Sequence, residues 1–257
     1  LLGEPHSGER KKRNKRMARL KARLIYSNSL TAVNDVRYGC GFVAPDPVLL
    51  IILAKKQILV VSTMEQGRAK RECYSSVEGL TPEELLLPPK KRWDIVEQIQ
   101  AVAARVGIKT VEVGFDFPAG IYTKLMEKGW KVQLSPRSNY PTRRTKNQQE
   151  IEYIRNSQRA AVAGMKEAVA RIASADIGSR GALRDSQGVL TSERVREAVQ
   201  LELLKRGGSG RDIIVAGGDQ ATDPHEGGFG ALFSGEGIIV GIFSRHVKTG
   251  YWGDVTR

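Results

Sequence analysis

Two polar residues in the last part of the sequence could take part in hydrolysis or metal binding, His225 and Asp254. His225 follows a proline, and Asp254 ends the stretch Gly-Tyr-Trp-Gly-Asp and opens the extended run Val255–Arg257. An imidazole can move a proton near neutral pH, and a carboxylate can hold a divalent cation. On neighbouring extended segments of one sheet the two could face a common pocket, although single residues of these types beside turns are more often structural.

The elements that would position them are strands preceded by helices. Ile213–Val215 and Ile238–Val240 are β-branched runs bounded by glycines, which is typical of strands. Two helices are predicted before these strands. The later one begins with Ser192 as its N-cap and runs to Gly207-Gly208. The earlier one, which opens this part of the chain, carries one apolar stripe that predicts its buried face. The stripe consists of Ile151, Ile154, Ala161 or Val162, Met165, Ala168 or Val169, and Ile172.

Residues 24–134 alternate between strand and helix signals, which predicts a small α/β domain with parallel strand pairing. Within it, Val48–Ala54 and Ile58–Val61 predict an antiparallel hairpin, and Gly107 ends a helix as its C-cap. The proline-containing polar stretch 135–146 predicts a linker, and residues 147–257 then form a second domain.

The positive charge of the chain is concentrated at its start. The 257 residues have a formal net charge of +13. Residues 1–23 alone carry nine Lys or Arg against two Glu, which predicts a basic, disordered arm. Three interpretations stay open: an arm that contacts RNA or another polyanion through counterion release, a solvated extension without function, and sequence upstream of a true start at Met17.

Several other classes of function are not favoured. The longest apolar run, Val48–Ala54, is far shorter than a membrane-spanning helix, and there is no signal-peptide pattern, so a cytoplasmic protein is expected. Cys40 and Cys73 lack the spacing of a zinc or redox motif, and the interpretation is that they are buried free thiols. The glycines at 217–218 and 227–230 fit tight turns better than a nucleotide-binding loop.

The motifs together resemble one family of enzymes. The matching residues are Ile213–Gly218, Pro224-His225 and Gly250–Arg257, preceded by looser matches at Arg23–Tyr26 and Tyr38–Phe42. They resemble the Xaa-Pro aminopeptidases and prolidases, the creatinase-like metallopeptidases with the pita-bread fold. The resemblance implies a creatinase-like N-terminal α/β domain followed by an incomplete α+β pita-bread domain.

The resemblance also implies a site and a reaction. His225 would contact a peptide substrate with proline at its second position, Asp254 would be a bridging metal ligand, and two Mn²⁺, Co²⁺ or Zn²⁺ ions would activate water. A homodimer is a further expectation. Two departures count against a metal centre: Gly241 stands where the family has a second Asp, and the chain ends at Arg257 before the later His and Glu ligands. One carboxylate cannot offset the repulsion between two divalent cations.

Three functions remain as hypotheses. The first is a shortened Xaa-Pro aminopeptidase or prolidase that is inactive as it stands. The second is a non-catalytic pseudo-peptidase that binds protein or RNA. The third is metal-free hydrolysis with His225 as general base, as in creatinase itself, which would need a complete pocket.

Overall fold

A computed structural model describes residues 21–257, which divide into two compact units between Arg144 and Thr145. This division falls within the predicted linker 135–146. The first strand begins at Lys21, three residues before the predicted start, because residues 21–23 pair with the neighbouring strands. The rest of the predicted basic arm, 1–20, lies outside the described residues. None of the helices in the described part is long and apolar enough to span a membrane.

The described residues of the first unit form one six-stranded sheet with four α-helices. In chain order the elements are β1 (Lys21–Tyr26), α1 (Leu30–Cys40), β2 (Leu49–Ile52), β3 (Gln57–Val60), α2 (Thr63–Glu72), β4 (Val77–Leu80), α3 (Ile95–Val106), β5 (Thr110–Val113), α4 (Ala119–Glu127) and β6 (Lys131–Leu134). The sheet order is β4-β3-β2-β1-β5-β6.

The strand pairing agrees with the predicted topology except that β1 pairs antiparallel with β2. β1, β5 and β6 are parallel, as are β3 and β4, while β2 and β3 form the predicted antiparallel hairpin. Gly107 ends α3 in a left-handed conformation, as predicted for a C-cap. The short strand β4 is not predicted, because Val-Glu-Gly-Leu has neither a clear alternation nor a β-branched run.

Alternation along the central strands separates two layers of core. Leu24, Leu49 and Ile58 contribute to the core that contains the buried side chains of α3, whereas Ile25 and Leu50 contribute to the core that contains those of α1. Because successive residues of a strand point to opposite faces, both faces of the sheet are covered. The fully buried strand residues therefore read as continuous apolar runs.

Part of the stretch predicted as a linker is held against the rest of the first unit by buried polar residues. Asn139 and Asp35 are 6% and 2% exposed, and the Asn139 amide donates to the Asp35 carboxylate at 2.8 Å. Arg143 forms an ion pair with the same carboxylate, and Arg23 donates to the Asn139 carbonyl. The polar composition that suggests a linker instead serves a buried hydrogen-bond network, which fixes this stretch to α1 and β1.

The second unit places two helices on one face of an antiparallel sheet. Its elements are α5 (Gln148–Ala173), β7 (Asp176–Ile177), β8 (Leu183–Asp185), β9 (Gly188–Val189), α6 (Ser192–Leu204), β10 (Gly208–Gly210), β11 (Ile214–Gly217), β12 (Ile238–His246) and β13 (Trp252–Thr256). β12 pairs with β10 and β11 and also with β13, and β7-β8-β9 form a small separate sheet.

Two helix predictions for this unit need correction. In α5 the predicted stripe is buried at Ala161, Met165 and Ala168, but Ile151 at its start is 38% exposed, and the alternatives Val162 and Val169 are 39% and 43% exposed. The N-cap of α6 is Thr191, whose hydroxyl accepts from the Arg194 amide at 3.4 Å. Thr191 is extended and bridges Ala231, so the helix begins only at Ser192, which is buried.

Candidate functional site

The β12–β13 hairpin carries the predicted metal ligand and the glycine that departs from the family pattern. Phe243 lies opposite Asp254, and Gly241 lies opposite Thr256. Val240, Ile242 and Ser244 are buried toward the helices, so the alternate positions 241 and 243 belong to the other face of the sheet, and Asp254 with them. We call this the outer face. Asp254 is exposed on it.

Asp254 is positioned through its backbone by a glutamine of α5. The Gln158 side-chain amide donates to the Asp254 carbonyl at 2.8 Å, and its oxygen accepts from the Asp254 amide at 3.0 Å. Asp254 and Phe243 form a non-hydrogen-bonded pair of the antiparallel ladder, so the backbone N–H and C=O of Asp254 point away from β12. Gln158 satisfies these two groups instead. The carboxylate of Asp254 is thereby left available on the outer face.

The motif Gly-Tyr-Trp-Gly-Asp is also packed closely against α5. A Cβ built on Gly253 would overlap the Ser157 backbone and lie 2.5 Å from the Gln158 backbone nitrogen, so only glycine fits between strand and helix. The Ser157 hydroxyl donates to the Tyr251 carbonyl at 2.9 Å. The Tyr251 hydroxyl donates at 2.6 Å to Glu150, which also completes the capping box at the start of α5.

Two side chains, Gln220 and Arg196, hold the loop that carries His225. The Gln220 side-chain amide exchanges hydrogen bonds with the Phe229 backbone at 2.8 and 3.1 Å. Arg196 of α6 donates to the carbonyls of Gly227 and Gly228, the latter at 2.6 Å. The loop is therefore fixed to α6 and to its own start, while the His225 side chain is exposed.

The structure does not join the two predicted site residues directly. Among residues 21–257, no hydrogen bond or ion pair links His225 to Asp254. A groove of 430 Å³ in this unit is lined by residues of α6 and of the stretch before β11, and neither His225 nor Asp254 belongs to it. The roles of His225 and Asp254 therefore stay predictions.

The described residues do not fit the pair of metal ions that the resemblance implies. No group of three or more His, Cys, Asp or Glu side chains in the described part could hold a metal ion. Gly241 contributes no side chain, and a Cβ built there would lie 3.3 Å from the Ile214 Cβ. Two divalent cations need several anionic oxygens, and the outer face offers the Asp254 carboxylate without a second one at position 241.

The family of the chain follows from its first unit. Residues 10–143, slightly more than half of the chain, match the model of the Creatinase/Prolidase N-terminal domain. The chain belongs to the creatinase/prolidase family. Its fold class is thus confirmed as a creatinase-like N-terminal α/β domain followed by part of a pita-bread-like fold.

Solved structures of the family share this fold. The X-Pro aminopeptidase of Thermotoga maritima aligns with a TM-score of 0.73 and 18% identity over 95% of this chain and 64% of its own. The prolidase of Pyrococcus horikoshii aligns with a TM-score of 0.70 and 19% identity over 97% of this chain and 62% of its own. The Xaa-Pro dipeptidase of Bacillus anthracis aligns with a TM-score of 0.68 and 17% identity over 98% of this chain and 64% of its own. This chain therefore spans less than two thirds of each. No curated protein sequence matches it.

The sequence analysis missed the residues that position the site. Gln158, Ser157 and Arg196 read as surface or helix-face residues, because their partners lie more than 30 positions away along the chain. Gly253 was a usable signal, since a glycine within a strand often marks a close backbone approach. The sequence could indicate that approach but could not identify α5 as its cause.

We predict that Gly253→Ala destabilises the second unit. The added methyl group must push β13 away from α5, which breaks the hydrogen bonds of Gln158, and the expected loss is roughly 3 kcal/mol in the free energy of unfolding. Urea unfolding followed by circular dichroism measures it. Gly237→Ala is the matched control, because nothing lies within 4 Å of a Cβ at this exposed position. Equal unfolding midpoints for the two variants would contradict the close packing.

We predict that Gly228→Ala releases the loop around His225, whereas its neighbour Gly227→Ala does not. A Cβ on Gly228 would overlap the Val215 carbonyl oxygen and lie 2.5 Å from the Val215 carbonyl carbon, but a Cβ on Gly227 meets nothing within 4 Å. Hydrogen exchange over residues 218–230 should accelerate at least about tenfold in the first variant only, because local opening controls exchange. Similar exchange in both variants would show that the loop is not held at Gly228.

Proposed function

We propose that the protein is of the Xaa-Pro aminopeptidase or prolidase type, and that residues 1–257 alone do not hydrolyse peptides. In this proposal the outer face of the second unit is the peptide side. His225 donates a hydrogen bond to the substrate, and Asp254 is the one family metal ligand retained. The substrate would be a peptide with proline at the second position, and the protein would form a homodimer.

The observation that carries the proposal is the position of Gly241 beside Asp254. Both residues lie on the outer face, on paired strands, at diagonal positions that are typically about 7–8 Å apart. Two carboxylates at such positions could converge on one cation. With glycine at position 241, the sheet has the fold of the peptidases, but its outer face lacks one of the carboxylates that a pair of metal ions needs. The family's metals, Mn²⁺, Co²⁺ or Zn²⁺, would supply an activated water if they were bound.

We predict that Gly241→Asp strengthens Mn²⁺ binding by roughly tenfold or more without creating peptidase activity. The second carboxylate supplies charge beside Asp254, and the Ile214 side chain needs to move by only a few tenths of an ångström to admit it. Isothermal titration with Mn²⁺ measures the affinity, and release of proline from an Xaa-Pro dipeptide measures hydrolysis. Hydrolysis still fails because the described residues contain no third ligand.

Two variants serve as controls for this prediction. Gly241→Asn has the same shape without the charge and should bind Mn²⁺ as weakly as the unmodified chain. Adding Asp254→Asn to Gly241→Asp should remove the gain. Tight binding of two Mn²⁺ ions by the unmodified chain, or dipeptide cleavage by Gly241→Asp, would contradict the proposal.

A second candidate function is a non-catalytic module that binds protein segments. It is favoured by apolar side chains on the outer face. Ile239 and Trp252 are 39% and 47% exposed there, Phe243 is partly buried, and the Arg245 guanidinium lies 5.9 Å from the centroid of the Trp252 ring. A surface of this kind can bind an extended peptide without any metal. The basic arm, for which RNA contact is an alternative, lies largely outside the described residues.

The two candidates differ in whether a peptide needs metal to bind. For the binding module, an Xaa-Pro peptide should bind equally well with Mn²⁺ and with chelator, and Trp252→Ala should weaken binding by about tenfold, as expected for an interfacial aromatic side chain. Trp93→Ala, which alters a 75% exposed tryptophan of the first unit, is the matched control. Absence of peptide binding under both conditions would exclude the binding module and agree with the peptidase proposal, in which these residues do not hold the metal pair.

A further inference from the structure

The first unit brings together two cysteines that lie far apart in the sequence. Cys40 is the last residue of α1, and Cys73 directly follows α2. The backbone amide of Tyr74 donates to the Cys40 carbonyl at 2.9 Å, so the two helices end beside each other. A Cβ built on Gly41 would lie only 3.2 Å from the Glu72 carbonyl oxygen, which shows how closely these helix ends approach.

The two thiols lie in one apolar cluster. Cys40 is a buried member of that cluster, its Sγ–H donates to the Val36 carbonyl at 3.1 Å, and the partly buried Cys73 packs against the same cluster. The Tyr74–Cys40 backbone hydrogen bond places Cys73, the residue before Tyr74, beside the end of α1. A disulfide between Cys40 and Cys73 would therefore join two helix ends that are already adjacent.

The two thiols have different environments and hence different reactivity. Cys40 is fully buried, whereas Cys73 is partly exposed. The interaction with the neighbouring Cys40 thiol lowers the pKa of the Cys73 thiol, and the interaction with Cys73 together with burial raises the pKa of the Cys40 thiol. Since the thiolate is the nucleophile, Cys73 is the residue that reacts first and Cys40 the residue that stays protonated beside it.

We propose that Cys40 and Cys73 form a peroxide-sensitive dithiol that closes to an intramolecular disulfide. In the first step the Cys73 thiolate attacks hydrogen peroxide, the O–O bond breaks, and a sulfenic acid and hydroxide result. In the second step the Cys40 sulfur displaces the hydroxyl group of the sulfenic acid as water, and the S–S bond forms. Overall two thiols are oxidised and one peroxide is reduced to two molecules of water.

The test uses the intact chain and hydrogen peroxide at micromolar to millimolar concentration. After oxidation, denaturation and treatment with iodoacetamide, neither cysteine should be alkylated, and the mass should fall by two hydrogens per chain. Digestion should yield one peptide pair cross-linked between Cys40 and Cys73, and a reductant should reverse the change. The midpoint of thermal unfolding should rise by roughly 5–10 °C on oxidation. Thiols that stay alkylatable, or cross-links between chains, would overturn the proposal.

Two variants test the order of reaction. Cys73→Ser should react with peroxide at least about tenfold more slowly than the unmodified chain, because its remaining thiol is buried. Cys40→Ala should stop at the sulfenic acid, which dimedone traps on Cys73, and its Cys73 should be alkylated with a higher pH midpoint because the neighbouring thiol that lowers its pKa is gone. An unchanged pH midpoint, or equal rates in Cys73→Ser, would contradict the assigned roles. If a variant fails to fold, the cross-linked peptide pair of the unmodified chain still tests the proposal.

Discussion

The second unit depends on how closely α5 crosses β13. At Gly253 the strand touches the helix backbone, and this distance sets where Asp254 and the rest of the hairpin lie. The approach leaves no room for a side chain, but it brings the Gln158 amide to the Asp254 backbone and the Ser157 hydroxyl to Tyr251. Close packing here is thus a matter of backbone and polar contacts as much as of apolar area. This packing also determines the outer face, because a strand whose residues pack against α5 on one face places the alternate residues on the opposite face of the sheet.

Much of this architecture could be predicted from local patterns. The elements of the first unit follow from apolar runs, from alternation and from terminating glycines such as Gly107, which act over a few residues. The predictions that needed correction depend on tertiary partners. Thr191 caps α6 because its backbone bridges Ala231, and Asn139 is buried because its amide donates to Asp35, which also pairs with Arg143. The Gln158 contacts span 96 positions, so no local pattern predicts them.

Gly241 separates what the fold conserves from what the chemistry requires. The hairpin does not need a carboxylate at this position, since β12 is held by its pairing with β11, β13 and β10 and by the buried side chains of Val240 and Ile242. Folding and metal binding therefore place independent demands on position 241. A sheet can keep its register and its packing after losing a ligand, which is why the likeness of fold does not carry the activity.

The Gln158 amide has a consequence for the behaviour of the unit in concentrated solution. In the described residues β13 pairs with β12 alone, so its other side would present unpaired N–H and C=O groups to any passing strand. Such strands are templates for intermolecular pairing and for fibril growth. At Asp254 both groups are already occupied by Gln158, so an incoming strand must first displace it. Gln158, which positions the hairpin, therefore also opposes aggregation along this side of the sheet.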